Sequence, residues 1–382
     1  MGMNHLAPYL GIVTALFIGI FIAAFYSTHT TSPVSTTTVP TSSPTLSVAP
    51  HPPPLPPPSQ ENIATSTTSS TIPVQKKKVI APSDPIVSTS SASQPVSIST
   101  TLTQSESAAL DAAASALRSA LVNIICNVSA GGGLRSISGS GVFIDPKGII
   151  LTNAHIAQHF LLADRNVSCV IRSGSPATER YAAALIYISP DWLKVNAGTL
   201  TEALPSGTGE YDFALLAVSK SATTAVLPAV FPFVPLATIP SSSKTPVVIA
   251  SYGAQFLESN QVRFSLFPTI VFGSVKDVFT FAVNSIDVLA LGGSAAAQEG
   301  SSGGGVVDAA GALIGTITTS TVKGATNTRS LNAITASYIR AEYASETGDA
   351  LDLLLSKPTT TSINDFAPQI PALESILTAH LP

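Results

Sequence analysis

GSGVFIDPKGIILTNAH, Gly139 to His155, sets two short apolar runs on either side of Asp-Pro-Lys-Gly and ends on a histidine. Apolar runs of this length, bounded by turn-forming residues, read as strands. Asp145 reads as an exposed turn residue, as do Asp164 in LADRN and Asp191 in SPDW. His155 falls where the second run gives way to a loop or short helix, a place suited to a base on the rim of a cleft. The same grammar recurs downstream in VSCVIRSG, AAALIYIS, FALLAVS, TPVVIASYG, TIVFGSV, FTFAVNSI and GVVDAAGALIGTITTST. Many short strands with Gly, Pro, Ser or Asp breaks predict an all-β sandwich or barrel. Helices are expected only at the flanks. Ser105 or Ser107 caps one that runs to about Ala120, where LVNIICNV reads as a strand, and another spans about Ser337 to Ser356. Its apolar face is Tyr338, Ala341, Ala344, Leu351, Leu354 and Leu355.

Around this core the composition shifts. Only 10% of the 382 residues are charged and the net charge is -4, so there is no basic field for nucleic acid or anionic lipid. Residues 6 to 26 are apolar and uncharged, long enough as a helix to cross a bilayer. Residues 1–26 are therefore expected to be a membrane anchor; the rival reading, a cleaved signal peptide, lacks a clean small-x-small site because AAFYST brings in aromatics. The short N-terminus inside and the rest outside the cytoplasm is the simplest arrangement. Residues 27–105 are Ser, Thr, Pro and Val, including HPPPLPPPSQ, and cannot bury a core. They read as a disordered stalk, with Lys76 to Lys78 a solvated or protease-sensitive point. The folded domain is expected at 106–356. Residues 357–382, with Pro358, Pro368, Pro371 and Pro382, read as a tail too short for another domain.

EGSSGGGVVD, Glu299 to Asp308, raises the question of chemistry. A nucleophilic Ser302 needs its own N–H and that of Gly300 turned toward one point, to bind the oxyanion formed when the hydroxyl attacks a carbonyl. Glycines permit that bend, although Gly/Ser runs are also ordinary flexible loops. A serine needs a base, and the base a carboxylate that orients it. After residue 105 the histidines are His155, His159 and His380. His155 and His159 are four apart, but Ile156 stands where a zinc-protease helix has glutamate, so no metal is expected. No other cofactor is expected either. Asp212 in GEYDFALLAVS heads an apolar strand, where an unpaired charge is costly and a histidine N–H is a suitable partner.

GSGVFIDPKGIILTNAH, YDFALLAV and SAAAQEGSSGGGVV together resemble the three signature blocks of trypsin-fold serine proteases, in the order His, Asp, Ser. The similarity is closest to the HtrA/Deg-like branch, and LNAITASYIRAEY resembles that branch's last strand and closing helix. The resemblance covers about residues 106 to 356. It implies two six-stranded antiparallel β-barrels followed by a C-terminal helix, with the site in the cleft between them. It makes Ser302 the nucleophile, His155 the general base and then acid, and Asp212 the residue that fixes the tautomer of His155. Gly300 and Ser302 supply the oxyanion N–H groups. Ala296 and the wall Thr318, Thr319 and Ser320 line the pocket for the residue before the cleaved bond. No acid stands at that base, which disfavours Lys or Arg and favours small or medium apolar residues.

The chain departs from the pattern. Ser301 replaces the usual Asn or Asp and Gly305 the usual Pro, which is expected to loosen the loop. Leu193 to Glu210 looks like an insertion that covers the cleft or lengthens a hairpin. No activation site of the Ile-Val-Gly-Gly kind precedes the first barrel, and the tail leaves no room for the branch's PDZ domain. Cys126 and Cys169 are either a disulfide or two buried thiols. The expected activity is that of an endopeptidase on polypeptides. The alternative is a domain that kept the fold as a scaffold and lost turnover. Gly300 to Gly304 also satisfies the Gly-x-Ser-x-Gly of an α/β-hydrolase, but that fold has the order Ser, Asp, His.

Overall fold

The computed structural model describes residues 103–381, without 130–133, 203–206, 282, 284 and 322 and without the side chains of residues 319 and 320. The apolar segment at 6–26 and nearly all of the stretch read as a stalk lie outside the described residues. Among the described residues no helix is long and apolar enough to cross a membrane.

Six strands close a first barrel: β1 (Leu121–Val128), β2 (Ile137–Asp145), β3 (Ile149–Thr152), β4 (Val167–Ser173), β5 (Thr178–Ile188) and β6 (Ala214–Ser221). Their order is β1-β2-β3-β6-β5-β4, with β1 also paired to β4. The opening stretch is the β2–β3 hairpin, in which Gly148 N–H donates to Asp145 O at 3.1 Å. Asp145 is not the exposed turn residue expected. At 9% exposure it takes the backbone N–H of Lys147 at 2.8 Å and pairs with its ammonium, so the turn satisfies the carboxylate it buries. Cys126 and Cys169 are opposed in the β1–β4 register, 4.0 Å apart at Cα, and form a disulfide.

The second half differs from the expected closed barrel. β7 (Pro246–Ser251), β8 (Thr269–Ser274), β9 (Asp277–Phe279), β10 (Val288–Ala290), β11 (Gly305–Asp308), β12 (Leu313–Ser320) and β13 (Leu331–Thr335) make a seven-stranded sheet. Its order is β8-β7-β11-β12-β13-β10-β9, and β8 and β9 are left as edges. With β9 and β10 three residues long, the ladder is too short to wrap back on itself.

Helix α1 (Gln104–Ala120) starts from Thr103 rather than from Ser105 or Ser107. Glu106 decides it: its carboxylate accepts the Thr103 N–H at 2.8 Å while its own N–H reaches Thr103 Oγ1 at 3.3 Å, a reciprocal cap that neither serine can make. The buried face, Leu110, Ala113, Leu117 and Ala120, packs across β7, β11 and β2, bracing both sheets. The closing helix is two, α5 (Ala336–Thr347) and α6 (Leu351–Ser356), with Gly348 ending the first in place of the single run expected. They follow two short elements met earlier in the chain, α3 (Pro190–Asn196) and α4 (Ser259–Phe264), and α2 (Ala154–Ala157) at the histidine.

Residues read as a tail form α7 (Thr359–Phe366) and α8 (Ile370–Thr378), which bury Phe366, Leu373 and Leu377. α7 lies on β5 and β6, and α8 on α3 and the turns around it. The prolines that suggested a tail instead start helical segments, for Pro368 and Pro371 occupy first-turn positions where a missing N–H costs nothing. The segment expected as an insertion thus docks through Leu193, Ala197 and Leu200 on the C-terminal helices.

Candidate active site

Asp212 is presented by a tight turn. Its N–H donates to Gly209 O at 3.2 Å, and Tyr211 before it sits in the left-handed region at φ 56°. That costs a non-glycine residue about 1 kcal/mol or more. Tyr338 of α5 holds the turn by accepting the Tyr211 N–H on its hydroxyl at 3.0 Å. On the other side Phe213 is fully buried and stacks on Tyr187 at 5.3 Å, burial that contributes about 2 kcal/mol. Asn153 donates to Asp212 O at 2.8 Å and so ties the turn to the end of β3.

His155 lies on α2, three residues past the hairpin's end at Thr152, and Asp212 grips it twice. Oδ2 meets His155 Nδ1 at 2.8 Å and Oδ1 accepts the His155 backbone N–H at 3.0 Å. Thr318 Oγ1 donates to the same Oδ2 at 2.7 Å. Burial alone pushes the Asp212 carboxyl up, but the adjacent His155 charge and the hydrogen bonds from His155 and Thr318 outweigh it and hold the pKa below the usual carboxylate range. With Nδ1 engaged by a carboxylate, Nε2 is the free ring nitrogen of His155. His159 turns into the core, where burial lowers its pKa to about 4, and it is not part of this cluster.

The loop before β11 carries Ser302. Glu299 O accepts from Ala254 N–H at 2.8 Å and Ser301 O from Gly304 N–H at 2.9 Å. In a trans peptide the following N–H points opposite the carbonyl, so the N–H groups of Gly300 and Ser302 are turned away from these partners. Neither donates to an acceptor among the described residues. Gly300 adopts φ 88°, and a Cβ there would sit 2.7 Å from Tyr252 O. Ser301, where the resemblance led to the expectation of Asn or Asp, takes a hydrogen bond from Ser251 Oγ at 3.0 Å and is buried. Gly305 is not in a loosened loop: it is paired in β11, and a Cβ there would lie 2.9 Å from Leu117, Val142 and Leu313.

Ser140 escaped the sequence reading except as part of a quoted block. From β2 it crosses to the loop that carries Ser302: its N–H donates to Ser302 O at 2.7 Å and its hydroxyl donates to Gly300 O at 2.8 Å while accepting the Tyr252 N–H. The Gly-Ser-Gly pattern was its only signal. Thr318, expected as a pocket wall, spends its hydroxyl on Asp212 instead. Ala296, expected at the pocket base, is wholly buried in the second sheet's core with Val306 and Ile317. Thr319 and Ser320 continue β12, paired with Asn332 and Leu331. The structure thus brings His155, Asp212 and Thr318 into direct contact. It sets Ser302 on the facing loop, where its hydroxyl makes no hydrogen bond to His155.

A hydrogen-bonded histidine and carboxylate at the end of a closed barrel, with a serine loop from a second sheet tied to that barrel through Ser140, make a β protein of two sheets joined at these residues. Residues 139–315 match the model of the trypsin-like peptidase domain family. Among solved structures the chain is similar to the Rv3671c protease of M. tuberculosis. The active form is 17% identical over 62% of this chain and 85% of that one, with a TM-score of 0.41. A serine-to-alanine mutant of the inactive form is 18% identical over 62% and 90%, with a TM-score of 0.39. No curated protein matches the chain.

Proposed function

We propose that the chain is a serine endopeptidase of the HtrA/Deg-like kind, acting on polypeptides outside the cytoplasm and tethered by its N-terminal apolar segment. The observation that carries the chemistry is the two-point grip of buried Asp212 on His155, which fixes both the ring's orientation and its tautomer. In this reading His155 Nε2 takes the Ser302 proton as Oγ attacks the substrate carbonyl, and the carbonyl oxygen becomes an oxyanion facing the N–H groups of Gly300 and Ser302. The tetrahedral adduct collapses with its C–N bond breaking, and the imidazolium returns the proton to the leaving amine. Water, deprotonated by His155, then hydrolyses the acyl-enzyme and restores Ser302. The tether rests on the uncharged run at 6–26, and the disulfide fits an oxidising compartment.

A second reading, a scaffold without turnover, draws on the missing Ser302–His155 hydrogen bond; such bonds are often long in substrate-free enzymes and tighten with substrate. A fluorophosphonate probe and casein cleavage separate the two. For the enzyme, the full-length chain labels and cuts, and Ser302→Ala and His155→Ala each lose about a thousandfold or more. Folded protein that neither labels nor cuts supports the scaffold.

A further inference from the structure

Arg329 is a buried cation that the catalytic reading leaves unused. Its side chain is 5% exposed, in the turn leading into β13. Nη1 donates to Ala297 O at 2.8 Å and to Gln255 Oε1, Nη2 donates to Gly324 O at 2.8 Å, and Nε donates to the same Gly324 O at 3.0 Å. Every acceptor is a neutral oxygen, and among the described residues no carboxylate lies within ion-pair distance. A guanidinium has five N–H donors, so one on Nη2 is left over. The other buried arginine, Arg172, is also held by neutral oxygens, but it lies under the first barrel within the field of Glu179. Arg329 has no ion-pair partner among the described residues, and a buried charge without one is costly.

Its position gives the cost a use. A substrate carbonyl attacked by Ser302 carries on its next carbon the side chain of the residue before the cleaved bond. That side chain must lie beside the loop that precedes Ser302. One flank of this space is the segment from Ala296 to Glu299. The other is β12 and the turn after it, held to the nucleophile loop by Gly303 N–H to Ile317 O at 2.9 Å and Ile317 N–H to Gly304 O at 2.8 Å. Arg329 hydrogen-bonds to both flanks, at Ala297 and at Gly324, so its guanidinium bridges them. Phe256, 65% exposed, covers its face with the ring centroid 5.6 Å away.

We infer that Arg329 is a specificity-determining residue and that the enzyme cleaves after acidic residues, Glu or Asp, whose carboxylate takes the spare Nη2 donor and completes the missing ion pair. This rests on the proposed Ser302 chemistry and replaces the apolar preference expected from Ala296 alone. The test uses the full-length chain on matched peptides carrying Glu, Asp, Gln, Ala, Leu or Lys before the scissile bond, with fluorophosphonate labelling in the same preparation. Glu is expected to exceed Gln in kcat/KM by about 10- to 100-fold, the worth of a hydrogen bond to a charged group. Arg329→Gln is expected to erase that ratio and Arg329→Lys to keep part of it. The Glu/Gln ratio of the unaltered chain needs no variant to fold. A ratio within twofold, a preference for Leu or Lys, or an Arg329→Gln variant that slows all peptides equally overturns the inference, and persistent labelling shows that the Ser302 reading survives it. Folded protein that neither labels nor cuts any peptide overturns both.

Discussion

Thr318→Val replaces a hydroxyl by a methyl of nearly the same shape and removes one of three donors to a buried carboxylate. The remaining two both come from His155, and Oδ2 keeps only Nδ1. A hydrogen bond to a charged group contributes about 1.5–3 kcal/mol, so the variant should lose about that much stability at pH 7. The loss depends on pH in a definite direction. Asp212 has its folded-state pKa held below the unfolded value of about 3.9, so it stabilises the fold above that value, and the contribution disappears as pH falls through the folded-state pKa. Losing Thr318 moves the folded pKa up toward the unfolded one. The gap between variant and parent should therefore be full at neutral pH and shrink in acid. Urea unfolding across pH reads this directly. Fluorophosphonate labelling, which needs no known substrate, should slow by about tenfold or more as His155 loses its fixed orientation. Thr318→Ser should recover most of both. A variant within 0.5 kcal/mol of the parent, an estimate at the level of ordinary surface changes, or a gap that is the same at every pH, refutes the assignment of Thr318 to Asp212.

Gly303→Ala places a Cβ 1.9 Å from Ser140 O at φ 84°, so it should cost about 4 kcal/mol or more by denaturant midpoint, and a cost under about 1 kcal/mol would contradict the close approach. Opening the disulfide with Cys126→Ser and Cys169→Ser, 43 residues apart, should lower stability by up to about 4 kcal/mol, and reducing agent should then have no further effect on the melting temperature. Leu377→Ala, at a fully buried position on α8, should cost about 2–5 kcal/mol in thermal or urea unfolding; a neutral result would mean that the last helices do not dock on the barrel.

Most strands were legible because each is a local run with its own breakers, although the run FTFAVNSI supplies only the last residue of β9, Phe279; His155, Asp212 and Ser302 could be singled out because each sits where the pattern changes. What was not legible depends on who meets whom. Thr318 and Ser140 are ordinary strand residues until folding sets one beside Asp212 and the other beneath the serine loop. Arg329 lies in a polar turn whose sequence says exposed. The C-terminal helices were hidden by their prolines, which signal a break and serve here as helix starts. Closure of the second barrel was inferred from resemblance, and the three-residue strands that prevent it are too short to be weighed by periodicity.

Ser140 gives the molecule a coupling between assembly and competence. Both carbonyls it fixes, those of Gly300 and Ser302, belong to the second sheet, whereas Ser140 belongs to the first. The serine loop is therefore shaped by neither half alone. A small separation of the two sheets, far short of unfolding either, would release the Gly300–Ser301 and Ser302–Gly303 peptides and let the loop that carries Ser302 change shape. Anything that presses the sheets together or lets them part then acts on the shape of a loop it never touches.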